Sequence, residues 1–462
     1  MINTYHDFIA RKKRVMQPMG FEPKALSKSL FPWQKQIVDW AVRRGRAALF
    51  EECGLGKTLQ QLAWAEQVYK HTRTPVVIHT PVGVRQQTKR EAEKFGIKCK
   101  VAVVNDQDAV IDGINLINYE KLHLFDASKF GGVVLDESSI LKSFTGSTKR
   151  ELCEAYKNTP FRLACTATPS PNDLMELGNH SDFLGVMPSN EMLSRWFIND
   201  TMKAGGYRLR MHARKDFWKW VASWAVCISK PSDMGGDDTG YNLPELKIER
   251  VVVEADYTPS NGWLFARDSV SATNLHEVKR QSNDKRADEV LRLAKQHEGE
   301  PLLIWCETNY EADAILERIP EAVEVRGSDS ESAKESKLRA FSDGNAQILI
   351  TKPSLAGFGM NWQHCRTVIF SGQSFSFEKF YQAVRRCWRF GQTKPVTVYL
   401  VVAESEEAIG NAVAEKECKH RLMQSEMAEA MRSASLESVS DELEEAKYRA
   451  DKAFLVPQWL RK

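Results

Sequence analysis

The stretch Glu52 to Leu59, E-C-G-L-G-K-T-L, constrains this chain more than any other. Ala47, Ala48, Leu49 and Phe50 form an apolar run before it, and Leu59, Leu62, Ala63 and Ala65 follow at helical spacing, so it reads as strand, loop and helix. A phosphate-binding loop belongs at such a place. Gly54 and Gly56 let backbone N–H groups turn inward around a polyphosphate, Lys57 can reach the β- and γ-phosphates, and the Thr58 hydroxyl can ligate Mg²⁺. Glu51 stands where the full G-x-x-x-x-G-K-[ST] pattern has its first glycine. A glycine turn opening an ordinary helix is the alternative, and the motifs further along the chain argue against it.

The length of 462 residues allows two or three domains. With a net charge of only +3, any surface for nucleic acid must be a local basic patch. Nine cysteines are scattered without a C-x-x-C pair, which argues against a zinc site or a disulfide framework and favours a reducing cytoplasm. No apolar run approaches the roughly 18 residues of a membrane span, and the N-terminal residues lack a signal-type apolar core, so no membrane role is expected.

Trp33, Ile37, Trp40 and Ala41 recur at helical steps after Phe31-Pro32. Near the start of that helix, the Gln34 amide can both donate to and accept from an adenine edge. Val76 to Thr80 is a β-branched run feeding a basic helix, Arg85 to Lys94, and Thr80 with that helix could hold a nucleic-acid phosphate. Tyr119, after the strand Ile114 to Asn118, reads as core, with a strand-end contact as the alternative. Gly131 to Glu137 is a buried strand ending in two carboxylates, of which Asp136 suits Mg²⁺ and Glu137 suits polarising the attacking water. Phe161 to Pro169 is a strand closing on Thr166 and Thr168, whose hydroxyls can link the carboxylate pair to another lobe.

E-C-G-L-G-K-T, L-D-E-S-S and T-A-T-P resemble motifs I, II and III of superfamily-two helicases and translocases, with Gln34 at the place of their glutamine motif. Glu52 stands where aspartate is usual, and Ser139 where D-E-A-H and D-E-S-H relatives have histidine.

Past Asn190 the chain is rich in aromatics and bases. After Gly205-Gly206, an alternating strand is expected to put Arg208, Arg210, His212 and Arg214 on one face, suited to a phosphate backbone, with a solvated hairpin as the alternative. Phe217, Trp220, Val221 and Trp224 follow helical spacing and read as core. Pro231 to Pro244, with its glycines and aspartates, reads as a linker.

From Pro301 strands and helices alternate again, as in a second parallel sheet. Leu355 to Trp362 is a glycine-punctuated loop in which Gly357 and Asn361 could approach nucleic acid. The segment Gln382 to Gln392 is expected to be helical, presenting Gln382, Arg386 and Arg389 to a transferring phosphoryl group. Q-A-x-x-R-x-x-R-x-G-Q and L-A-G-F-G-M-N-W resemble motifs VI and V of the Swi/Snf-like branch, with Arg385 for a usual glycine and Trp388 for a usual histidine.

The resemblance implies an α/β protein of two tandem RecA-like lobes with a helical and aromatic insertion between them and a helical C-terminal extension. The expected divisions are 1–189, 190–244, 245–403 and 404–462. It further implies ATP and Mg²⁺ in the cleft, hydrolysis coupled to lobe closure, and DNA across both lobes, duplex favoured. The chain then reads as an ATP-dependent DNA translocase, compact like the motors of phages and prophages, in a bacterial or phage-infected host cytoplasm. A strand-separating DNA or RNA helicase is the enzymatic alternative, and a non-hydrolysing nucleotide-gated clamp is the alternative of another class. Beyond Ala403 the charged helical extension could dock on a lobe or recruit a protein partner. Oligomeric state is left open.

Overall fold

The computed structural model describes residues 19–143, 146–200, 206–254, 279–356, 360–372, 374, 376–403 and 406–447. Two parallel sheets organise the chain, as the alternation of strands and helices leads one to expect. In chain order the strands of the first are β1 (Arg46–Glu51), β2 (Val76–His79), β3 (Val101–Val103), β4 (Ile114–Ile117), β5 (Gly132–Asp136) and β6 (Phe161–Thr166). A small antiparallel hairpin follows, β7 (Phe197–Asp200) with β8 (Gly206–Leu209), and then β9 (Ala225–Ile228). The seven-stranded order is β3-β4-β2-β5-β6-β1-β9, every pair parallel. Its edge strand β9 thus comes from within the 190–244 stretch.

Ala47 to Phe50 on β1 and Val133 to Leu135 on β5 are buried, as central parallel strands covered on both faces require. Trp33, Ile37 and Ala41 of the helix Pro32–Arg44 are buried in the same lobe. The residues read as aromatic core, Phe217, Trp220, Val221 and Trp224, lie under the sheet on the helix Arg214–Ala222 and at the turn after it.

The second sheet is built from β10 (Leu246–Val253), β11 (Leu302–Trp305), β12 (Val323–Glu324), β13 (Ile348–Thr351), β14 (Thr367–Phe370) and β15 (Val396–Ala403). Its order is β10-β15-β14-β11-β13-β12, again all parallel. The linker is pinned to both lobes. Tyr241 packs on Trp33 at 6.4 Å and on Phe390 at 4.4 Å, and Trp388 Nε1 donates to the Pro244 carbonyl at 2.7 Å.

Two expectations are corrected. The strand beginning at Gly206 stops at Leu209, a 3₁₀ turn occupies Met211–Ala213, and Arg214 opens a helix. Arg210 is drawn away to cap the preceding helix, Ser189–Trp196, donating to the carbonyls of Arg195 at 3.1 Å and Ser194 at 3.4 Å. Arg214 pairs with Glu426 at 2.7 Å, so the four basic residues do not form one row. Secondly, the helix bearing Gln382 is Phe377–Val384, and Arg385 to Gly391 run as successive turns. Tertiary hydrogen bonds outcompete the helical ones there: Trp362 N–H donates to Arg386 O, and the Gln392 amide donates to the carbonyls of Gln363, Cys365 and Cys387.

The C-terminal helix Glu407–Lys447 docks on both lobes. Val413 packs on Phe377, and His420 on Phe377 and Tyr381, all in the second lobe. Further along, Met423 and Met427 are buried in the first-lobe core, and Glu426 accepts from Trp218 Nε1 at 2.7 Å. No described helix is long and apolar enough to cross a membrane.

Candidate functional site

The loop after β1 is shaped by two glycines in left-handed conformation, Gly54 at φ +92° and Gly56 at φ +81°. A Cβ on Gly54 would meet Phe390 of the second lobe at 3.0 Å, and one on Gly56 would meet Gln34 Nε2 at 2.5 Å. The left-handed backbone favours glycine at both positions, and a side chain at Gly56 would displace the Gln34 amide. The loop opens the helix Lys57–Thr72, whose first turn carries no acidic residue and whose free N–H groups favour an anion. Lys57 Nζ donates to the carbonyls of Glu51 at 2.6 Å and Glu52 at 3.1 Å, which holds the ammonium at the centre of the loop. Thr58 sits beside it on the first turn. The Gln34 amide braces the loop, donating to Leu55 O at 2.8 Å and accepting from Phe31 N–H at 2.9 Å. Gln60 does the same from the helix, donating to Leu55 O and to Glu51, whose fully buried carboxyl is pushed up to about 7 by burial despite the nearby Lys57 charge.

Asp136 and Glu137 end β5, the strand next to β6 in the sheet centre. Burial raises both carboxyls, and Lys57 and Arg386 pull them back. Glu137 is pushed to about 7 by burial and then by the Asp136 charge. It is also held at φ +58°, a left-handed conformation that costs a non-glycine residue about 1–3 kcal/mol and that clusters at functional sites. Gln61 Nε2 donates to Asp136 Oδ1 at 2.8 Å, and Tyr119 OH to the Asp136 carbonyl at 2.6 Å. Neither residue was singled out for this from the sequence. For Gln61 the signal was present, since it lies one helical turn after Lys57. Thr166 Oγ1 lies 3.4 Å from Glu137 Oε2 and accepts from the Thr168 N–H at 3.1 Å, which ties the end of β6 to the carboxylate pair.

The second lobe reaches the same place. Gln382 Nε2 donates to Glu137 Oε2 at 3.3 Å. Arg386 and Arg389 converge on the Met360 carbonyl at 3.2 and 3.0 Å, and burial followed by the Arg386 charge pushes Arg389 down to about 10. The residues present fit Mg²⁺ and ATP. Gln382 Oε1, Arg389 Nε and Thr168 Oγ1 are buried polar atoms with no hydrogen bond inside the protein. Among the described residues no group of three or more His, Cys, Asp or Glu could hold a metal ion.

On the other side of the carboxylates a cleft of about 1120 Å³ runs between the lobes, lined among others by Thr80, Arg85, Arg90, Lys142, Leu355 and Asn361. Asn361 is exposed there, whereas the Thr80 hydroxyl is turned to the Pro81 carbonyl at 2.9 Å. Arg208 is exposed on the β7–β8 hairpin and does not line this cleft. Gly357 lies outside the described residues.

Residues 284–391 match the helicase conserved C-terminal domain. Protein p41 of Acyrthosiphon pisum secondary endosymbiont phage 1 is 22% identical over 467 residues, a match covering 87% of this chain and 98% of that protein. A bovine SWI/SNF-related matrix-associated actin-dependent regulator of chromatin, subfamily A-like protein 1, is 23% identical over 451 residues, covering 85% of this chain but only 45% of its own length. Among solved structures, the Sulfolobus solfataricus SWI2/SNF2 ATPase core in complex with dsDNA aligns over 90% of this chain and 96% of its own, at 19% identity and a TM-score of 0.41. The matched helicase domain and the Swi/Snf relative, similar over most of this chain, support the resemblance to helicase superfamily two and its Swi/Snf-like branch.

Proposed function

We propose that the protein is an ATP-driven DNA translocase that hydrolyses ATP between its two lobes while tracking duplex DNA. The observation that carries the reading is convergence: Gln382 of the second lobe donates to Glu137, and the Arg386 charge beside it lowers both carboxyls that the first lobe places by its phosphate loop. Lys57 and the loop N–H groups bind the phosphates, and Thr58 with Asp136 would hold Mg²⁺, which would supply neutralisation of phosphate charge. Glu137, with its carboxyl near neutrality, takes a proton from the attacking water, and Gln382 orients that carboxylate. Arg386 and Arg389 stabilise the charge of the transition state. Turnover then requires closed lobes, so each cycle can shift a strand lying in the cleft between them. Duplex DNA is favoured because the segments Leu355 to Trp362 and Gln382 to Gln392 resemble motifs V and VI of the Swi/Snf-like branch.

The test is steady-state ATP hydrolysis without polymer and with duplex DNA, single-stranded DNA or RNA, alongside triplex displacement and duplex unwinding. Stimulation by duplex with triplex displacement and no unwinding is expected. Stimulation by single strands with unwinding would replace the translocase by a strand-separating helicase, and ATP binding without turnover would replace it by a clamp.

A further inference from the structure

Arg385 of the second lobe reaches the residue that opens the phosphate loop. Arg385 Nη2 pairs with Glu52 Oε1 at 2.9 Å, with side chains only 7% and 12% exposed. The other Glu52 oxygen accepts from the Tyr381 hydroxyl, and Oε1 also accepts the Cys53 N–H at 2.6 Å. Burial alone would raise the Glu52 carboxyl, but the Arg385 charge and these hydrogen bonds hold it down at about 2, so the pair stays ionised. The guanidinium is clasped between aromatic rings, 4.6 Å from the centroid of Trp388 and 5.5 Å from that of Tyr381. Such walls fix its plane before it meets the carboxylate. Trp388 is itself tied to the linker through Pro244, and Tyr381 is covered by His420 of the C-terminal helix.

The main chain at both ends of this pair belongs to the proposed chemistry. The Glu52 carbonyl accepts from Lys57, and Arg385 precedes Arg386 in a turn that has left helical geometry. A shift of Arg385 therefore carries Arg386 with it.

We propose that Arg385 is a positioning residue: its ion pair with Glu52 seats the turn that carries Arg386 and Arg389 over the phosphate loop. The proposal deepens the hydrolase reading and rests on it. Through Tyr381 and His420 the same contact gives the C-terminal helix a route to the loop.

The experiment measures kcat and KM for ATP at saturating duplex DNA for Arg385→Gln, Arg385→Lys, Glu52→Gln and the double Glu52→Gln/Arg385→Gln. Small-angle X-ray scattering of each variant reports how far the lobes separate, and thermal melts confirm folding. Arg385→Gln is expected to lower kcat about 100-fold with KM changed less than about threefold, and to enlarge the radius of gyration. Arg385→Lys should recover most of both. The double variant should be no worse than either single one, because the two changes break one contact. Wild-type kcat and compactness in Arg385→Gln would overturn the proposal, as would losses that multiply in the double variant or fall equally on kcat and affinity. A wild-type protein that binds but never hydrolyses ATP would sink the hydrolase reading instead, and scattering would still decide whether the pair seats the lobes.

Discussion

Across the nucleotide face the lobes meet through groups largely out of solvent, Glu52 with Arg385 and Glu137 with Gln382. Across the opposite groove they meet through Arg85–Glu331 at 3.2 Å, a buried arginine (4% exposed) with an exposed glutamate (60%), and through Arg90–Glu335 at 3.7 Å, exposed on both sides. The difference sets what can open each seam. Exposed ion pairs contribute about 0–1 kcal/mol and are screened by salt, whereas removing one partner of a buried pair costs about 3–5 kcal/mol. A polyanion can displace Glu335 from Arg90 with little loss to the protein, and can take Arg85, which is only 4% exposed, from Glu331 where a phosphate replaces the carboxylate. The nucleotide face has no such inexpensive exit, so its geometry is preserved while the groove exchanges partners.

The largest test strikes the nucleotide face alone. Arg386→Ala should lower DNA-stimulated hydrolysis by about 10³–10⁵-fold while nucleotide affinity changes by only a few-fold, measured by a fluorescent ATP analogue. Equal losses would turn Arg386 into a binding group and leave the convergence on Glu137 unexplained. Next in size, Glu137→Gln should cost about 10²–10⁴-fold in kcat with binding retained. The wild-type pH profile sharpens this point. A carboxyl raised to about 7 in the nucleotide-free protein is mostly protonated below that pH, so kcat/KM should climb through an acid limb near 7 and level off above it. An acid limb near the ordinary glutamate value would mean that the site is more open to water than its burial indicates.

How far each face was legible in the sequence follows the same division. The loop, the Asp136–Glu137 strand end and the Thr166–Thr168 strand end were readable because each is a local pattern, a strand feeding a glycine turn or a polar end. The core role of Phe217, Trp220, Val221 and Trp224 was readable from helical spacing. What failed involved competition between local and distant bonds. Arg210 alternates correctly with Arg208 in sequence, yet it caps a helix. Arg386 sits at helical spacing from Gln382, yet Met360 and Trp362 pull its turn out of helical form. The cross-cleft pairs were invisible for another reason: a glutamate such as Glu331 on a charged helix carries no local mark of the arginine it will meet on the other lobe.

Breaking the groove seam should have a smaller effect of opposite sign. The double change Glu331→Gln/Glu335→Gln frees Arg85 and Arg90 for phosphates, so duplex DNA should bind about three- to tenfold tighter at low salt. The gain should shrink as salt rises, and kcat at saturating DNA should stay within about twofold of wild type. Weaker DNA binding would show that the two glutamates order the groove rather than compete for it.

The smallest expected effect separates Arg208 from Arg210, which the sequence placed together and the structure does not. Arg208 is exposed on the hairpin, away from the groove, so any contact with DNA would be one extra phosphate beyond the cleft. Arg208→Ala should then reduce the slope of log affinity against log salt by about 1 and weaken binding uniformly across sequences. Arg210→Ala should leave that slope unchanged and instead lower the melting temperature by a few degrees, since it uncaps the helix Ser189–Trp196. Should Arg208→Ala leave the salt slope untouched, the hairpin is a solvated surface and DNA contact is confined to the groove, which draws the contrast between the two faces more sharply still.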